Sequence, residues 1–359
     1  MTTMDNQLDQ FRDVILDAAD RKQALCIRGG GSKDWYGREP VGDVLDTRPY
    51  SGVVSYDPTE LVITVRSGTP LTEVEAVLAE QNQMLAFEPP HCGADATVGG
   101  MVAAGLAGPR RVAVGSVRDF VLGAALINGK GELLHFGGQV MKNVAGYDVS
   151  RLLAGSLGML GLLVEVSLKV LPKPFAETSL RLALSEEEAL RRLNEWGGQP
   201  LPISASAWCD GVLAVRLSGA QAAITAARDY IGGDEMHDAE TFWIAMREQS
   251  NDFFAQAPLL WRLSVPSVAA PIALAGEQLI EWGGAQRWLR THDTSAASMA
   301  AIREAAIAVG GHATLFRGGD RTGEIFQPLA PAAERIHRNL KQSFDPSGIF
   351  NPGRMYATL

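Results

Sequence analysis

Ile27-Arg28-Gly29-Gly30-Gly31-Ser32 is the sharpest local signal in the sequence, and it follows the short apolar run from Ala24 to Ile27, which predicts a buried strand. Three successive glycines let backbone N–H groups turn toward one point and leave no Cβ atom to block a ligand, so the turn suits a diphosphate. For this turn alone, a flexible loop is an equally good interpretation. The glycine spacing matches neither G-x-G-x-x-G nor the Walker A pattern, so it disfavours a nicotinamide Rossmann domain and a P-loop.

Three further glycine-rich segments follow along the chain, and each also has an ordinary structural explanation. They are Ala96 to Gly105, Gly146-Tyr147-Asp148 with the run from Gly155 to Gly161, and Phe344 to Arg354. Small residues would let a flat ring or a diphosphate lie against the backbone, although tight packing of a short helix uses the same residues. Together the four segments favour a site built from backbone segments far apart in the sequence.

The composition excludes several classes of function. The chain has 359 residues, 46% hydrophobic and 20% charged, which predicts a globular protein of two or three domains. Its formal net charge of -9 argues against a nucleic-acid partner. The cysteines at 26, 92 and 209 are too scattered for a disulfide framework or a C-x-x-C metal site, so we expect no bound metal and a reducing, intracellular compartment.

Neither the N-terminus nor the longest apolar run predicts export or a membrane span. The first twenty residues carry several aspartates where a secretory signal would need a basic start and an apolar stretch. Leu152 to Val164 is uncharged, but it falls short of the ~18 apolar residues that a membrane helix requires. We therefore expect a cytoplasmic protein that reaches the inner face of the membrane only through partners.

The apolar spacing predicts an α+β chain with unlike halves. In the first half, a helix covers Leu8 to Ala19, and a capping box of Thr72 and Glu75 predicts a helix that begins there and ends near Gln81. Predicted strands in this half are Leu61 to Val65, Val121 to Asn128, Glu132 to Phe136 and Gly161 to Val170. The prolines in Leu171 to Pro174 predict a domain boundary.

Beyond Pro174, helices alternate with strands, which favours one layer of helices on a sheet. Pairs of glycines at 197, 232, 283 and 310 predict the ends of four helices. Predicted strands are Ile203 to Cys209, Val212 to Leu217, Leu260 to Val265, Gln286 to Leu289 and Ala313 to Phe316. The tetrapeptide Glu-Trp-Gly-Gly at both 195 and 281 suggests a weak duplication, and the six tryptophans of this half belong either to a core or to a subunit interface.

The order and spacing of these segments resemble the flavoproteins of the vanillyl-alcohol oxidase or p-cresol methylhydroxylase (PCMH) type. Within them the likeness is strongest to the FAD-binding subunits of bacterial glycolate oxidase complexes, and Met141 to Asp148 is its most specific stretch. The resemblance implies a two-subdomain PCMH-type FAD-binding fold with an α+β, ferredoxin-like cap. The implied domains are 1–174, which binds FAD, 175–335, which forms the cap, and 336–359, which returns to the first domain.

The resemblance also assigns residues to the cofactor. It implies that the pyrophosphate lies on the glycine turn of Arg28, Gly29, Gly30, Gly31 and Ser32. The second loop would line the diphosphate and ribityl region with Thr97, Gly99, Gly100 and Gly105. Asp119 and Gly161 would flank the adenosine, and Asn351 of the tail would close the site. Some members attach the flavin through a His in the first loop, and since Ser32 stands there we expect noncovalent FAD.

Two departures from the family leave the catalytic residues unknown. The run from Gly155 to Gly161 lacks the acidic and hydroxyl side chains that related dehydrogenases have in this loop. The family's paired cap histidines are reduced here to His312, for which an ordinary strand or surface position is the favoured interpretation. Arg317 and Arg321 are weak candidates for binding a substrate carboxylate, since exposed arginines are common.

The resulting hypothesis is a FAD-binding subunit of a glycolate oxidase complex that oxidises glycolate, a small 2-hydroxy acid, to glyoxylate. A catalytic flavoprotein subunit with the complete histidine pattern would oxidise the substrate, and this chain would relay electrons or support assembly. A cubane cluster needs about four thiolates, so an iron-sulfur partner would be another polypeptide. Two alternatives stay open: a self-sufficient FAD-dependent D-2-hydroxy-acid dehydrogenase, and a scaffold subunit without cofactor.

Overall fold

The computed structural model describes residues 3–138 and 148–359. The amino-terminal half contains six helices in this part of the chain: α1 Thr3–Arg21, α2 Leu71–Glu80, α3 Val98–Ala104, α4 Arg111–Val114, α5 Val117–Phe120 and α6 Val149–Leu152. Its strands are β1 Leu25–Arg28, β2 Asp43–Asp46, β3 Val53–Asp57, β4 Val62–Arg66, β5 Gln83–Met84, β6 Val121–Ile127, β7 Leu133–Gly137, β8 Leu162–Lys169 and β9 Leu171–Pro172.

A five-stranded antiparallel sheet in the order β3-β4-β8-β6-β7 forms the centre of this half. Helices α2 and α3 pack on one face through Leu71, Val74 and Met101. Helix α1 covers the other face, because its apolar residues recur at helical spacing and Phe11 and Ile15 are buried there. Both faces are therefore covered, which explains why six of the eight residues of β8 are buried.

The second half forms an eight-stranded antiparallel sheet in the order β13-β10-β12-β11-β15-β16-β14-β17. Its strands are β10 Ala176–Ala183, β11 Ile203–Cys209, β12 Val212–Gly219, β13 Asp234–Glu235, β14 Leu259–Ser264, β15 Glu277–Glu281, β16 Gln286–Thr291 and β17 His312–Arg317. The helices are α7 Glu186–Gly197, α8 Gln221–Ile231, α9 Ala239–Glu248, α10 Asp252–Ala255 and α11 Ala296–Ala308. The mixture of helices and sheets confirms the α+β fold class.

One face of this large sheet packs on α7, α8 and α11, and the other faces the amino-terminal half. Trp288 and Phe316 from the sheet share a buried cluster with Tyr36 and Leu157. Trp196, Trp243, Trp261, Trp282 and Trp288 are all at most 9% exposed, so the tryptophans of this half belong mainly to the core.

The C-terminal segment returns to the first half of the chain. After α12 Pro331–Phe344, Phe350 forms a parallel bridge with Leu25 of β1. The turn between α12 and Phe350 is held by Asp345, whose Oδ2 accepts from Lys341 Nζ at 2.7 Å and from Phe350 N at 2.8 Å. The division into domains 1–174, 175–335 and 336–359 stays a prediction about folding units.

The structure corrects two local predictions. Helix α2 begins at Leu71, next to Pro70, whose fixed φ sets the first turn, so Thr72 lies inside the helix and caps nothing. The Gly283-Gly284 pair lies in a 3₁₀ turn at Trp282–Gly284 that follows strand β15 and does not end a helix, because the apolar run before it pairs with β11 and β16. The tetrapeptides at 195 and 281 therefore differ in structure and give the suggested duplication no support.

Candidate functional site

A cleft of about 780 Å³, including its open mouth, lies where the glycine turn after β1 meets α3, the 157–161 segment and the C-terminal tail. Ten of the twelve residues assigned to the cofactor line this one cleft: Arg28, Gly29, Gly30, Gly31, Ser32, Thr97, Gly99, Gly100, Gly161 and Asn351. The four separate glycine-rich segments thus contribute to one cavity. Residues 139–147, and with them most of the stretch from Met141 to Asp148, lie outside the described residues.

The glycine turn packs against the segment before α3 so closely that side chains are excluded. A Cβ atom on Gly29 would lie 2.2 Å from Thr97 Oγ1, and one on Gly30 would lie 1.5 Å from the carbonyl oxygen of Asp95. Gly31 has a φ of +71°, in the left-handed region that favours glycine. Bare main chain therefore forms this wall of the cleft.

Helix α3 begins beside this turn, at Val98. Thr97 caps it, since its Oγ1 accepts from Gly100 N at 3.3 Å. Gly99 lies against Ser67, where an added Cβ would come within 2.7 Å of the serine Cβ. Ser67 lines the cleft, and its hydroxyl is buried without a hydrogen-bond partner within the described chain.

Asn351 joins three parts of the cleft. Its Oδ1 accepts from Ile27 N at 2.7 Å, and its Nδ2 donates to the carbonyl oxygen of Leu157 at 2.7 Å. Its own backbone N–H donates to Leu25 O at 2.8 Å, which continues the ladder of β1. The residue is 7% exposed and has a φ of +40°, a conformation that Asn tolerates better than most residues.

Gly105 and Asp119 do not line the cleft, so their assignment to the cofactor stays a prediction. Gly105 ends α3 in the left-handed conformation and lies against Gly155, which lets the 155–161 segment approach the helix. Asp119 forms a capping box with Ser116 on the short helix α5, accepting from the Ser116 backbone N–H at 2.7 Å. Both positions have a local structural role.

The two weak catalytic candidates, His312 and Arg317, lie at opposite ends of the six-residue strand β17, roughly 15 Å apart along it. Partial desolvation of the His312 ring, together with the nearby Arg262 charge, lowers the pKa of this histidine. Arg317 is half-buried over the ring of Trp35, with 4.7 Å between guanidinium and ring centroid. The structure therefore does not bring this pair together.

Sequence reasoning missed several cleft residues, among them Ser67, Lys33 and Arg354. Ser67 lies between strand β4 and helix α2, and nothing in the local sequence marks it as a binding residue. Arg354, next to the predicted tail residues, donates from Nη2 to Asp34 O at 2.8 Å and also contacts Arg38 O, so it braces the loop after the glycine turn. Such contacts over some 320 residues leave no local signal.

Arg321, the other arginine considered for a substrate carboxylate, uses its donors on backbone. It donates to Gly37 O at 2.7 Å, to Leu315 O at 2.9 Å and to Gly318 O at 3.3 Å. Burial lowers its pKa to about 10. Within residues 3–138 and 148–359, no helix is long and apolar enough to span a bilayer, and no group of three His, Cys, Asp or Glu side chains forms a metal site.

Comparison with known proteins gives this architecture a family. A model described as "FAD binding domain" matches residues 6–137. The "Glycolate oxidase subunit GlcE" of Escherichia coli (strain K12) is 52% identical over 352 residues, covering 98% of this chain and 97% of that protein. The "Glycolate oxidase subunit GlcD" of Bacillus subtilis (strain 168) is 30% identical over 181 residues, which are 50% of this chain and 38% of that protein.

Among solved structures, alkyldihydroxyacetonephosphate synthase superposes with a TM-score of 0.66 at 14% identity, covering 96% of this chain and 74% of that one, and this likeness concerns the fold alone. The fold and the cleft thus define a FAD-binding oxidoreductase of the PCMH type. More narrowly, the chain belongs to the family of the glycolate oxidase subunit GlcE.

The residues at the cleft fit a flavin dinucleotide on two observations. The turn at Gly29 and Gly30 leaves a concave wall of main chain that any Cβ would disturb. The Ser67 hydroxyl is a buried polar group without a partner among the described residues, and such a group is stabilised when a ligand supplies the missing hydrogen bond.

Proposed function

We propose that this chain is the FAD-binding subunit of a glycolate oxidase complex, in which glycolate is oxidised to glyoxylate. Identity of 52% over nearly the whole length of the Escherichia coli GlcE subunit supports this assignment. The cleft in which ten cofactor-assigned residues from four distant segments meet is the observation that carries it. When bound, FAD supplies the electron-transfer chemistry, and the protein supplies its position.

The residues of the cleft would hold FAD noncovalently. The backbone from Gly29 to Gly31 would face the pyrophosphate, and the Ser67 hydroxyl would bond to the dinucleotide. Ser32 stands where a covalent family member has a histidine, and a serine hydroxyl is not the imidazole that forms such a link. Asn351 would keep the strand β1 and the 157–161 segment at the spacing that the ligand needs.

Within the complex, the chain would relay electrons or support assembly. The separation of His312 and Arg317 along β17 supports this role over a self-sufficient dehydrogenase that would use both residues on one small substrate. The partners would be a catalytic flavoprotein subunit, akin to the protein named GlcD, and an iron-sulfur subunit. A cluster bound by about four thiolates exceeds the three cysteines of this sequence, so it would belong to that second chain.

The variant Ser67→Ala tests the flavin site. We expect its dissociation constant for FAD to rise about five- to tenfold, as for the loss of one hydrogen bond. The thermal midpoint of the FAD-free protein should stay unchanged or rise, because the buried hydroxyl has no partner there. Fluorescence titration of FAD into the stripped protein measures the affinity, and Ser298→Ala on α11 is the matched control.

Two outcomes would count against the proposal. Equal FAD affinity in Ser67→Ala and in the wild type would remove the serine from the site. Absence of any FAD binding by the wild-type chain, alone or with its co-purified partners, would remove the flavin assignment itself.

A further inference from the structure

Two cations meet at the seam between the glycine turn and the eight-stranded sheet without a carboxylate partner. Lys33 follows the turn directly, and Arg317 lies at the end of β17. Neither has a carboxylate oxygen within 4 Å among the described residues, and residues 139–147 contain no Asp or Glu that could supply one. Partly buried charges are normally paired, so this arrangement indicates a missing anion.

Lys33 is held at the edge of the cleft by two neutral acceptors. Its Nζ donates to His91 O at 2.9 Å and to Ser32 Oγ at 3.3 Å, which leaves one of three N–H donors without a partner in the described chain. Burial lowers the pKa of the Lys33 ammonium group, and the charges around it only partly oppose this change. The side chain lines the cleft, so its remaining donor is available to a ligand there.

The guanidinium of Arg317 is also held in place without a carboxylate partner among the described residues. Its guanidinium stacks on Trp35, and its Nη2 donates to Gln249 Oε1 at 3.0 Å, the one side-chain hydrogen bond that it makes within residues 3–138 and 148–359. Trp35 in turn donates from Nε1 to Ser32 O at 3.0 Å, which ties the arginine to the glycine turn. Arg321, four residues later, differs in that its donors are used on backbone carbonyls.

The nearby carboxylate, Glu248, is already used in other contacts. Its Oε1 accepts from Arg247 Nε at 2.7 Å, and its Oε2 accepts from the backbone N–H groups of His91 and Cys92 at 3.0 Å each. The His91 ring lies 3.1 Å from Glu75, so that acid faces the imidazole and not the cations. With Arg247 balancing Glu248, two positive charges remain uncompensated at the seam.

Hydrogen bonds around the loop of His91 and Cys92 place these two cations near each other. Lys33 donates to His91 O, and Glu248 accepts from the backbone N–H groups of both loop residues. Arg317 donates to Gln249, which follows Glu248 in the sequence. Burial raises the pKa of the Cys92 thiol, while the charges of Lys33 and Arg317 both lower it and Glu248 raises it. A ligand that contacts both cations would therefore lie beside the glycine turn, next to Cys92.

We propose that Lys33 and Arg317 bind the carboxylate of a small 2-hydroxy or 2-oxo acid at this seam. The proposal rests on the proposed function, because it assigns the anion to the acids that such a complex converts. A carboxylate accepts well-oriented hydrogen bonds from a guanidinium and a lone ammonium donor, and each bond to a charged group is strong. The phosphates of the dinucleotide would instead lie at the main-chain wall formed by Gly29 and Gly30.

The test is a calorimetric titration of oxalate, a two-carbon dicarboxylate, into the full-length FAD-loaded chain, with inorganic phosphate as a second arm. We expect saturable binding of one oxalate per chain. Lys33→Gln and Arg317→Gln should each weaken oxalate binding at least tenfold, and Arg317→Lys should lie between the wild type and Arg317→Gln. Lys173→Gln, which removes an exposed lysine at a different cavity, should bind like the wild type.

Each variant is also measured for its FAD content and its thermal midpoint. Unchanged FAD content with weakened oxalate binding supports the proposal. Equal oxalate affinity in all variants, no oxalate binding by the wild type, or phosphate binding as tight as oxalate binding overturns it, as does loss of FAD with retained oxalate affinity. A colourless wild-type chain that still binds oxalate through both cations would refute the proposed flavin function and leave the carboxylate site standing.

Discussion

Replacement of Asn351 by alanine should destabilise the protein by about 3–7 kcal/mol. The substitution leaves two buried backbone groups, Ile27 N and Leu157 O, without partners, at about 1–3 kcal/mol each. Alanine also tolerates the φ of +40° less well than asparagine, which adds roughly 1 kcal/mol. The loss should reach the cleft as well, because the two groups belong to strand β1 and to the segment that faces it.

Urea unfolding followed by tryptophan fluorescence measures the change, with and without added FAD. The control is Asn339→Ala, an exposed position on α12 that should alter the free energy of unfolding by less than about 0.5 kcal/mol. We expect Asn351→Ala to lose FAD affinity together with stability. A destabilisation below about 1 kcal/mol would refute the inference that this side chain joins β1 to the 157–161 segment.

Two further predictions concern the glycine turn and a buried acid. Gly30→Ala should reduce FAD affinity more than tenfold, since its Cβ would collide with Asp95 O. The control Gly197→Ala adds a Cβ in open space and should leave FAD affinity unchanged. Equal FAD affinity in the two variants would contradict the close packing at Gly30. Burial, with a smaller contribution from the Glu88 charge, raises the pKa of Glu281 from 4.5 to about 7, so the unfolded chain ionises first as the pH rises. Roughly 3 kcal/mol of stability should therefore be lost between pH 4.5 and 7. Glu281→Gln should match the wild type at pH 4.5 and be more stable at pH 8, which denaturant unfolding at the two pH values measures. The same pH dependence of stability in the two proteins would contradict this prediction.

The glycine-rich segments were predictable from sequence because their chemistry is local. A run such as Gly29-Gly30-Gly31 after an apolar stretch restricts what the backbone can do there, whichever partner it meets. Five of the eight strands of the second half, β11, β12, β14, β16 and β17, were predictable for the same reason, since their apolar runs end at turn residues. The tail residue Asn351 was assigned to the site from the family resemblance, and its hydrogen bonds to Ile27 and Leu157 became visible only in the structure.

Contacts between distant segments could not be predicted in this way. Arg110 bonds to Glu88 and Glu177 while Arg216 also bonds to Glu88, which joins the two halves of the chain through a buried ionic network. Nothing near Arg110 in the sequence distinguishes it from an exposed arginine. Strand β15 was misinterpreted as a helix for a related reason: a short apolar run fits either element until its neighbours in the sheet are known.

The most direct test of the account is the amount and attachment of flavin in the purified full-length chain. We expect about one FAD per chain, released completely into the supernatant when the protein is denatured and precipitated. Flavin retained in the pellet would contradict noncovalent binding. A chain that takes up no FAD, even when purified with its partners, would contradict the central claim that bare main chain and the Ser67 hydroxyl form a dinucleotide site.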